Sequence, residues 1–175
     1  PLMLTAGIAV YREWIARGGA VSALVAGHSL GEYSALVAAG ALDFGDAVRL
    51  VRLRAQAMQE AVPQGEGAMA ALLGLDEPAA AAACAEAAQG EVVSAANLNS
   101  PGQIVIAGAR AAVERAMAVA KTKGAKRAVL LPVSAPFHCA LMKPAAERLQ
   151  QRLADIAVKV PSIAVLNNVD VAVET

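Results

Sequence analysis

Gly27-His28-Ser29-Leu30-Gly31 sets a serine between two glycines, directly after the apolar run 21–26 and before residues that continue as a helix. A strand turning straight into a helix forces its middle residue into a strained conformation, and flanking glycines are expected to relieve the crowding. The hydroxyl is then presented at a helix N-terminus, where the dipole and the first backbone N–H groups favour a developing oxyanion. That chemistry is acyl transfer through a serine nucleophile, Ser29, with the Leu30 N–H as the first oxyanion donor. Without its strand and helix, the five-residue pattern would be weak.

A serine nucleophile needs a base. The chain has two histidines, His28 and His138. His28 adjoins Ser29, and neighbouring side chains diverge on a tight turn. His138 follows Val133-Ser134-Ala135-Pro136-Phe137 in a segment that reads as a loop after a strand. Elimination favours His138 as the base, although a histidine in such a place also suits a structural hydrogen-bonding role.

Arg54 is conspicuous for its position. Ala47, Leu50, Val51, Arg54 and Met58 follow the i, i+3, i+4, i+7, i+11 spacing of one apolar helix face, while Arg49, Arg52 and Glu60 lie opposite. A guanidinium on that face requires a desolvated anion. One candidate is Glu32, in an internal ion pair. The other is a substrate carboxylate held by a bidentate clamp.

Weaker candidates come from the middle of the chain. Asn97 and Asn99, at a strand end beside Pro101-Gly102, could line a site, and turn chemistry explains them nearly as well. Arg110, Arg115, Lys121, Lys123, Lys126 and Arg127 form a basic cluster opposed only by Glu114. Such clusters are mostly solvated helix faces, and this one could also receive an acidic partner or a phosphorylated ligand.

The elements that position these residues follow from hydrophobic periodicity. The first part reads as helix 5–17, strand 21–26, helix 32–39 closed by Gly40, and a helix from Asp43 to about Val62. That is an α/β pattern with a parallel sheet. From 67 the order becomes strand 68–75, helix 78–88 capped by Asp76, strands 92–97 and 103–107, helix 109–123 and strand 127–133. This β-α-β-β-α-β order is a ferredoxin-like unit. The expected domains are an α/β core over 1–66, the ferredoxin-like subdomain over 67–134, and a return to the core over 135–175, with helix 140–156 and strand 163–167.

Composition narrows the function classes. Fifteen basic and fifteen acidic residues give a net charge of zero, so nothing argues for nucleic acid or an anionic membrane. No uncharged stretch reaches the ~18 apolar residues of a spanning helix. Cys84 and Cys139 lack metal or redox spacing, so no metal site is expected. With no signal-peptide pattern, a soluble cytoplasmic protein is expected.

Taken together, Gly27-His28-Ser29-Leu30-Gly31-Glu32-Tyr33, Arg54, Asn97-Leu98-Asn99-Ser100-Pro101-Gly102-Gln103 and Pro136-Phe137-His138 resemble the malonyl-CoA:acyl carrier protein transacylases of bacterial fatty acid synthesis. The likeness covers nearly the whole chain, with its four motifs in order. It implies an α/β-hydrolase-like core with a ferredoxin-like insert. It also implies a ping-pong reaction in which Ser29 takes malonyl from coenzyme A and passes it to the phosphopantetheine thiol of acyl carrier protein. His138 would be the general base and Arg54 the clamp for malonyl's free carboxylate, and no cofactor is implied beyond the coenzyme A thioester substrate.

The family also opens with a strand and a Gly-Gln-Gly-Ser-Gln loop that completes the oxyanion hole. These 175 residues do not contain that loop, so a fragment of a longer protein is expected. Three rivals are a polyketide synthase acyltransferase domain, a general serine esterase and a non-catalytic interaction module. The esterase would not need Arg54 in its apolar stripe, and the module would not need a reactive Ser29.

Overall fold

The computed structural model describes all residues, 1–175. It holds six α-helices and seven strands in two sheets, one containing a parallel pair and the other wholly antiparallel. The chain divides into two compact units, Pro1–Ala55 with Leu149–Thr175, and Gln56–Arg148.

The first unit contains α1 (Leu2–Ala16), β1 (Leu24–Ala26), α2 (Leu30–Ala38), most of α3 (Phe44–Glu60), β6 (Ala164–Leu166) and β7 (Val173–Glu174). β1 pairs in parallel with β6, in the register Leu24↔Ala164 through Ala26↔Leu166, and β7 runs antiparallel on the far side of β6. Strand 21–26 was expected, yet only Leu24–Ala26 is strand and Val21 is exposed, because β6 offers three residues to pair with. Asp43 caps α3 by accepting the Asp46 N–H at 3.1 Å, and that bond holds its carboxyl below the usual carboxylate range. The apolar stripe of α3 buries Ala47, Leu50 and Val51 against Leu4 and Ile8 of α1 and against Leu42 and Ile156. A second cluster sets Ala35 of α2 and its C-cap Ala39 on Val165 of β6 and on Ile163 just before that strand.

The second unit contains β2 (Gly67–Leu73), α4 (Glu77–Ala88), β3 (Val93–Ser100), β4 (Gln103–Ala109), α5 (Arg110–Thr122) and β5 (Arg127–Leu130). Its sheet has the order β3-β4-β2-β5. β2 and β4 pair without a break from Gly67↔Ala109 to Leu73↔Gln103. The strand period of two sorts the side chains. Ala68, Ala70, Leu72, Ile104 and Ile106 face Ala80, Ala83 and Ala87 of α4 and Val113, Ala116 and Ala120 of α5. Met69, Val105 and Ala107 form a separate cluster with Phe137 and Leu131. Asp76 caps α4 as expected, accepting the Ala79 N–H at 2.9 Å.

Two further expectations differ. The helix expected over 140–156 is a 3-10 turn, Ala140–Met142, followed by α6 (Lys143–Leu153). Pro144 explains the change, since it lacks an N–H and suits only the first turn of an α-helix. Strand β3 runs on through Asn99 and Ser100, where a strand end and turn were expected. No helix is long and apolar enough to cross a membrane.

Candidate active site

Between the end of β1 at Ala26 and the start of α2 at Leu30, the chain reverses in three residues, Gly27, His28 and Ser29. A methyl group at Gly27 would lie 1.9 Å from the Gly31 carbonyl carbon and 2.4 Å from the Glu32 nitrogen, so only glycine fits. Gly31 is different, because a methyl there would meet nothing within 4 Å. Of the two flanking glycines, only the first relieves crowding.

Ser29 takes φ 53° and ψ −102°, a conformation that costs a non-glycine residue on the order of 1–3 kcal/mol. The turn closes by the Gly31 N–H donating to the His28 carbonyl at 2.9 Å. Leu30 opens α2, so its N–H is among those of the first turn that have no intrahelical acceptor. The N–H of Ser29 itself donates to Asn168 Oδ1 at 3.0 Å, and Asn168 Nδ2 donates to the Gly27 carbonyl.

Arg54 reaches this turn from α3. Its Nη2 donates to Ser29 Oγ at 2.8 Å, and the guanidinium carbon lies 5.7 Å from the centre of the Tyr33 ring. Burial pushes the Tyr33 hydroxyl above its usual pKa, against the opposing pull of the Arg54 charge. Arginine only donates, so Oγ accepts from it. The half-buried cation therefore faces the Ser29 hydroxyl instead of pairing with Glu32. A carboxylate arriving beside Oγ would meet a donor already in place.

His138 belongs to the second unit. It is exposed, with φ 60°, and follows the buried pair Ala135 and Pro136 in a turn closed by the Phe137 N–H donating to the Ala135 carbonyl at 3.1 Å. Four non-glycine residues have positive φ: Ser29, Gln89, His138 and Val171. Gln89 is the left-handed cap that ends α4, an ordinary use of that conformation. Ser29, His138 and Val171 do not end a helix in this way.

The remaining expected residues also lie in the second unit. Asn97 is half-buried on edge strand β3 and pairs with Val105, while Asn99 is the exposed extra residue between Leu98↔Ile104 and Ser100↔Gln103. The two asparagines therefore sit on a bulged strand and not on a turn. The basic cluster is dispersed. Arg115 donates to the Ala87 and Ala88 carbonyls and pairs with Glu91 at 2.7 Å, and Lys123 pairs with Glu86 at 2.9 Å. Arg110 donates to the Gly65 carbonyl at 2.7 Å. Lys126 and Arg127 are exposed at the start of β5, with the Lys126 stem lying over Gly74.

The structure thus brings Ser29, Leu30 and Arg54 together in the first unit and adds Asn168, which spacing alone did not single out. A serine on a strained strand-to-helix turn, with a guanidinium hydrogen-bonded to its hydroxyl oxygen, is an arrangement suited to acyl-group chemistry. Consistent with this, residues 1–173 match the acyl transferase domain family, and the chain belongs to that family.

Among its relatives, the malonyl CoA-acyl carrier protein transacylase of Escherichia coli K12 is 62% identical over 175 residues, which is 100% of this chain and 57% of that protein. The acyl carrier protein S-malonyltransferase of Vibrio cholerae superposes with a TM-score of 0.96 at 59% identity, over 98% of this chain and 56% of that one. A malonyl-transacylase solved in complex with its type II polyketide synthase acyl carrier protein gives a TM-score of 0.96 at 56% identity, over 98% of this chain and 56% of that one. The chain spans a little over half the length of these relatives.

Proposed function

We propose that the protein containing this chain transfers a malonyl group from malonyl-CoA to the phosphopantetheine thiol of acyl carrier protein, through an ester on Ser29. The observation that carries this reading is the 2.8 Å hydrogen bond from Arg54 to Ser29 Oγ. It puts a fixed cation within reach of any carboxylate carried by the acyl group being transferred. An esterase for neutral acyl groups gains nothing from a half-buried guanidinium at its nucleophile, whereas a malonyl transferase needs one.

In the first step Ser29 Oγ attacks the thioester carbonyl while its proton passes to a base, assigned to His138 on the sequence argument. The Oγ–C bond forms, the C–S bond breaks, and the proton returns to the coenzyme A sulfur. The Leu30 N–H, aided by the α2 dipole, stabilises the tetrahedral oxyanion. The second step runs the same events in reverse with the carrier-protein thiol as nucleophile. No cofactor takes part beyond the thioester itself. Asn97 and Asn99 are assigned to the acyl-CoA substrate, and Lys126 and Arg127 to its phosphates or to the acidic carrier protein. On this reading the protein serves fatty acid synthesis and is assigned to the cytoplasm, as the sequence led us to expect.

The first unit reads as part of an α/β-hydrolase-like core, supported by the parallel β1–β6 pair leading into the elbow. The second unit reads as ferredoxin-like, supported by its element order and the strand order β3-β4-β2-β5.

The test compares malonyl-CoA with acetyl-CoA in the wild type and in Arg54→Ala. Burying an unpaired carboxylate costs several kcal/mol, so kcat/KM for malonyl-CoA should fall on the order of 10²-fold or more. Acetyl-CoA carries no carboxylate and should hold its rate or gain. Lysine at position 54 should restore only part of the loss, since it lacks the planar fork. An equal loss for both substrates would make Arg54 structural and end the clamp reading.

A further inference from the structure

The parallel ladder between β1 and β6 stops at Ala26↔Leu166. Beyond that pair both segments leave strand geometry, yet they remain joined by a side chain. Asn168 Oδ1 accepts the Ser29 N–H at 3.0 Å, and Asn168 Nδ2 donates to the Gly27 carbonyl. A primary amide offers an acceptor and a donor in one plane, the same pair that a peptide unit of a neighbouring strand would offer. The partners leave no ambiguity about its orientation, since a backbone N–H needs the oxygen and a carbonyl needs the nitrogen. The amide continues the ladder across the one residue of the elbow held at φ 53°.

We propose that Asn168 is a positioning residue that clamps the elbow and fixes the direction of Ser29 Oγ. This rests on the reading of Ser29 as the nucleophile. The clamp has a second consequence. Because the Ser29 N–H is occupied by Asn168 Oδ1, it does not serve the oxyanion, and that duty falls to the Leu30 N–H at the start of α2.

The clamp is itself anchored. Asn167 Oδ1 accepts the N–H groups of Val169 at 3.1 Å and Asp170 at 2.8 Å, so the chain folds back directly after Asn168. The Asn167 N–H donates to the Ala172 carbonyl at 3.0 Å, and its Nδ2 donates to Glu174 Oε1 at 3.0 Å. An open cavity of about 350 Å³ borders the clamp, lined by Ala26, Gly27, His28, Asn167 and Asn168. Water can therefore reach the backbone groups if the amide is removed. Loss of Asn168 should consequently disturb geometry more than folding.

The test uses Asn168→Ala and Asn168→Asp in the full chain, with single-turnover formation of the malonyl adduct followed by intact-protein mass spectrometry. A misplacement of about 1 Å at a reacting atom costs on the order of 10²-fold in rate, and a loss of that size is expected in Asn168→Ala. The KM for malonyl-CoA should stay close to wild type, because Arg54 is untouched. Hydrogen exchange at the Ser29 amide should quicken selectively, with Val25 and Ala26 unchanged. Asn168→Asp keeps the acceptor for Ser29 but turns a carboxylate oxygen toward the Gly27 carbonyl. It should retain the Ser29 amide protection and still lose rate.

An unchanged acylation rate in both variants would overturn the proposal. So would a loss matched by faster exchange throughout the first unit, which would reduce Asn168 to a folding role. Absence of a malonyl adduct on the wild-type protein would instead remove Ser29 as the nucleophile, while the exchange measurements would still report on the clamp.

Discussion

The two units differ in how their sequences are spent. The second unit is regular: β2 and β4 pair over their whole length, side chains alternate between two covered faces, and α4 and α5 lie on one of them. The first unit is irregular where it matters. Its strands are two or three residues long, and its central turn carries a serine in a disfavoured conformation, held by a side-chain amide and touched by an arginine. Regular pairing stabilises without specifying any one side chain, whereas the elbow holds a strained residue through contacts to two particular side chains.

The largest effect that would sharpen this contrast is chemical. Ser29→Ala should abolish the malonyl adduct seen by mass spectrometry after mixing with malonyl-CoA, with little change in thermal stability. An adduct persisting on that variant would take the chemistry away from the elbow. The opposite pattern is expected in the other unit. Ile106 is fully buried at the centre of β4, and Ile106→Ala should cost about 2–5 kcal/mol in a urea titration. A loss below 1 kcal/mol, roughly the scale of a surface change, would mean that the sheet is less tightly built than its register indicates.

A third measurement probes the strain directly. Ser29→Gly should be more stable than Ser29→Ala by about 1–3 kcal/mol, because glycine accepts φ 53° without penalty. Equal stabilities would show the turn to be relaxed. The smallest effect concerns Lys126 and Arg127. Replacing both with alanine should raise the KM for acyl carrier protein several-fold at low salt, on the scale of one or two exposed ion pairs at ~0.2–1 kcal/mol each. The difference should fade as salt rises. A Michaelis constant and salt slope both unchanged would return these residues to the solvated surface.

Much of this was legible in the sequence because the regular parts obey local rules. Asp43 and Asp76 cap α3 and α4, and the α3 stripe turns Ala47, Leu50 and Val51 inward, all from spacing and side-chain chemistry alone. Ser29 was legible from its glycines and its place between a strand and a helix. The sequence left Arg54 between Glu32 and a ligand, and in the fold its guanidinium donates to Ser29 Oγ. Asn168 was illegible because its partners lie 139 and 141 residues away and no local rule links it to them. The ion pairs of Arg115 and Lys123 were hidden in the sequence for the same reason. Glu86 and Glu91 are remote from Arg115 and Lys123 in sequence and meet them only in the fold.

The alanine content of the second unit has a consequence for its mutational tolerance. More than half of the residues buried between its sheet and its two helices are alanine. Helices seated on methyl groups approach the sheet closely, leaving no rotamers that could swing aside for an added carbon. Enlarging Ala83, Ala116 or Ala120 to valine therefore pushes backbone against backbone, a strain of about 1–3 kcal/mol. Shrinking Leu72 or Ile106 opens a hole that methyl-lined neighbours cannot reach across to fill. Such an interior resists drift in both directions, and sequence variation is expected to collect on the outer faces of α4 and α5.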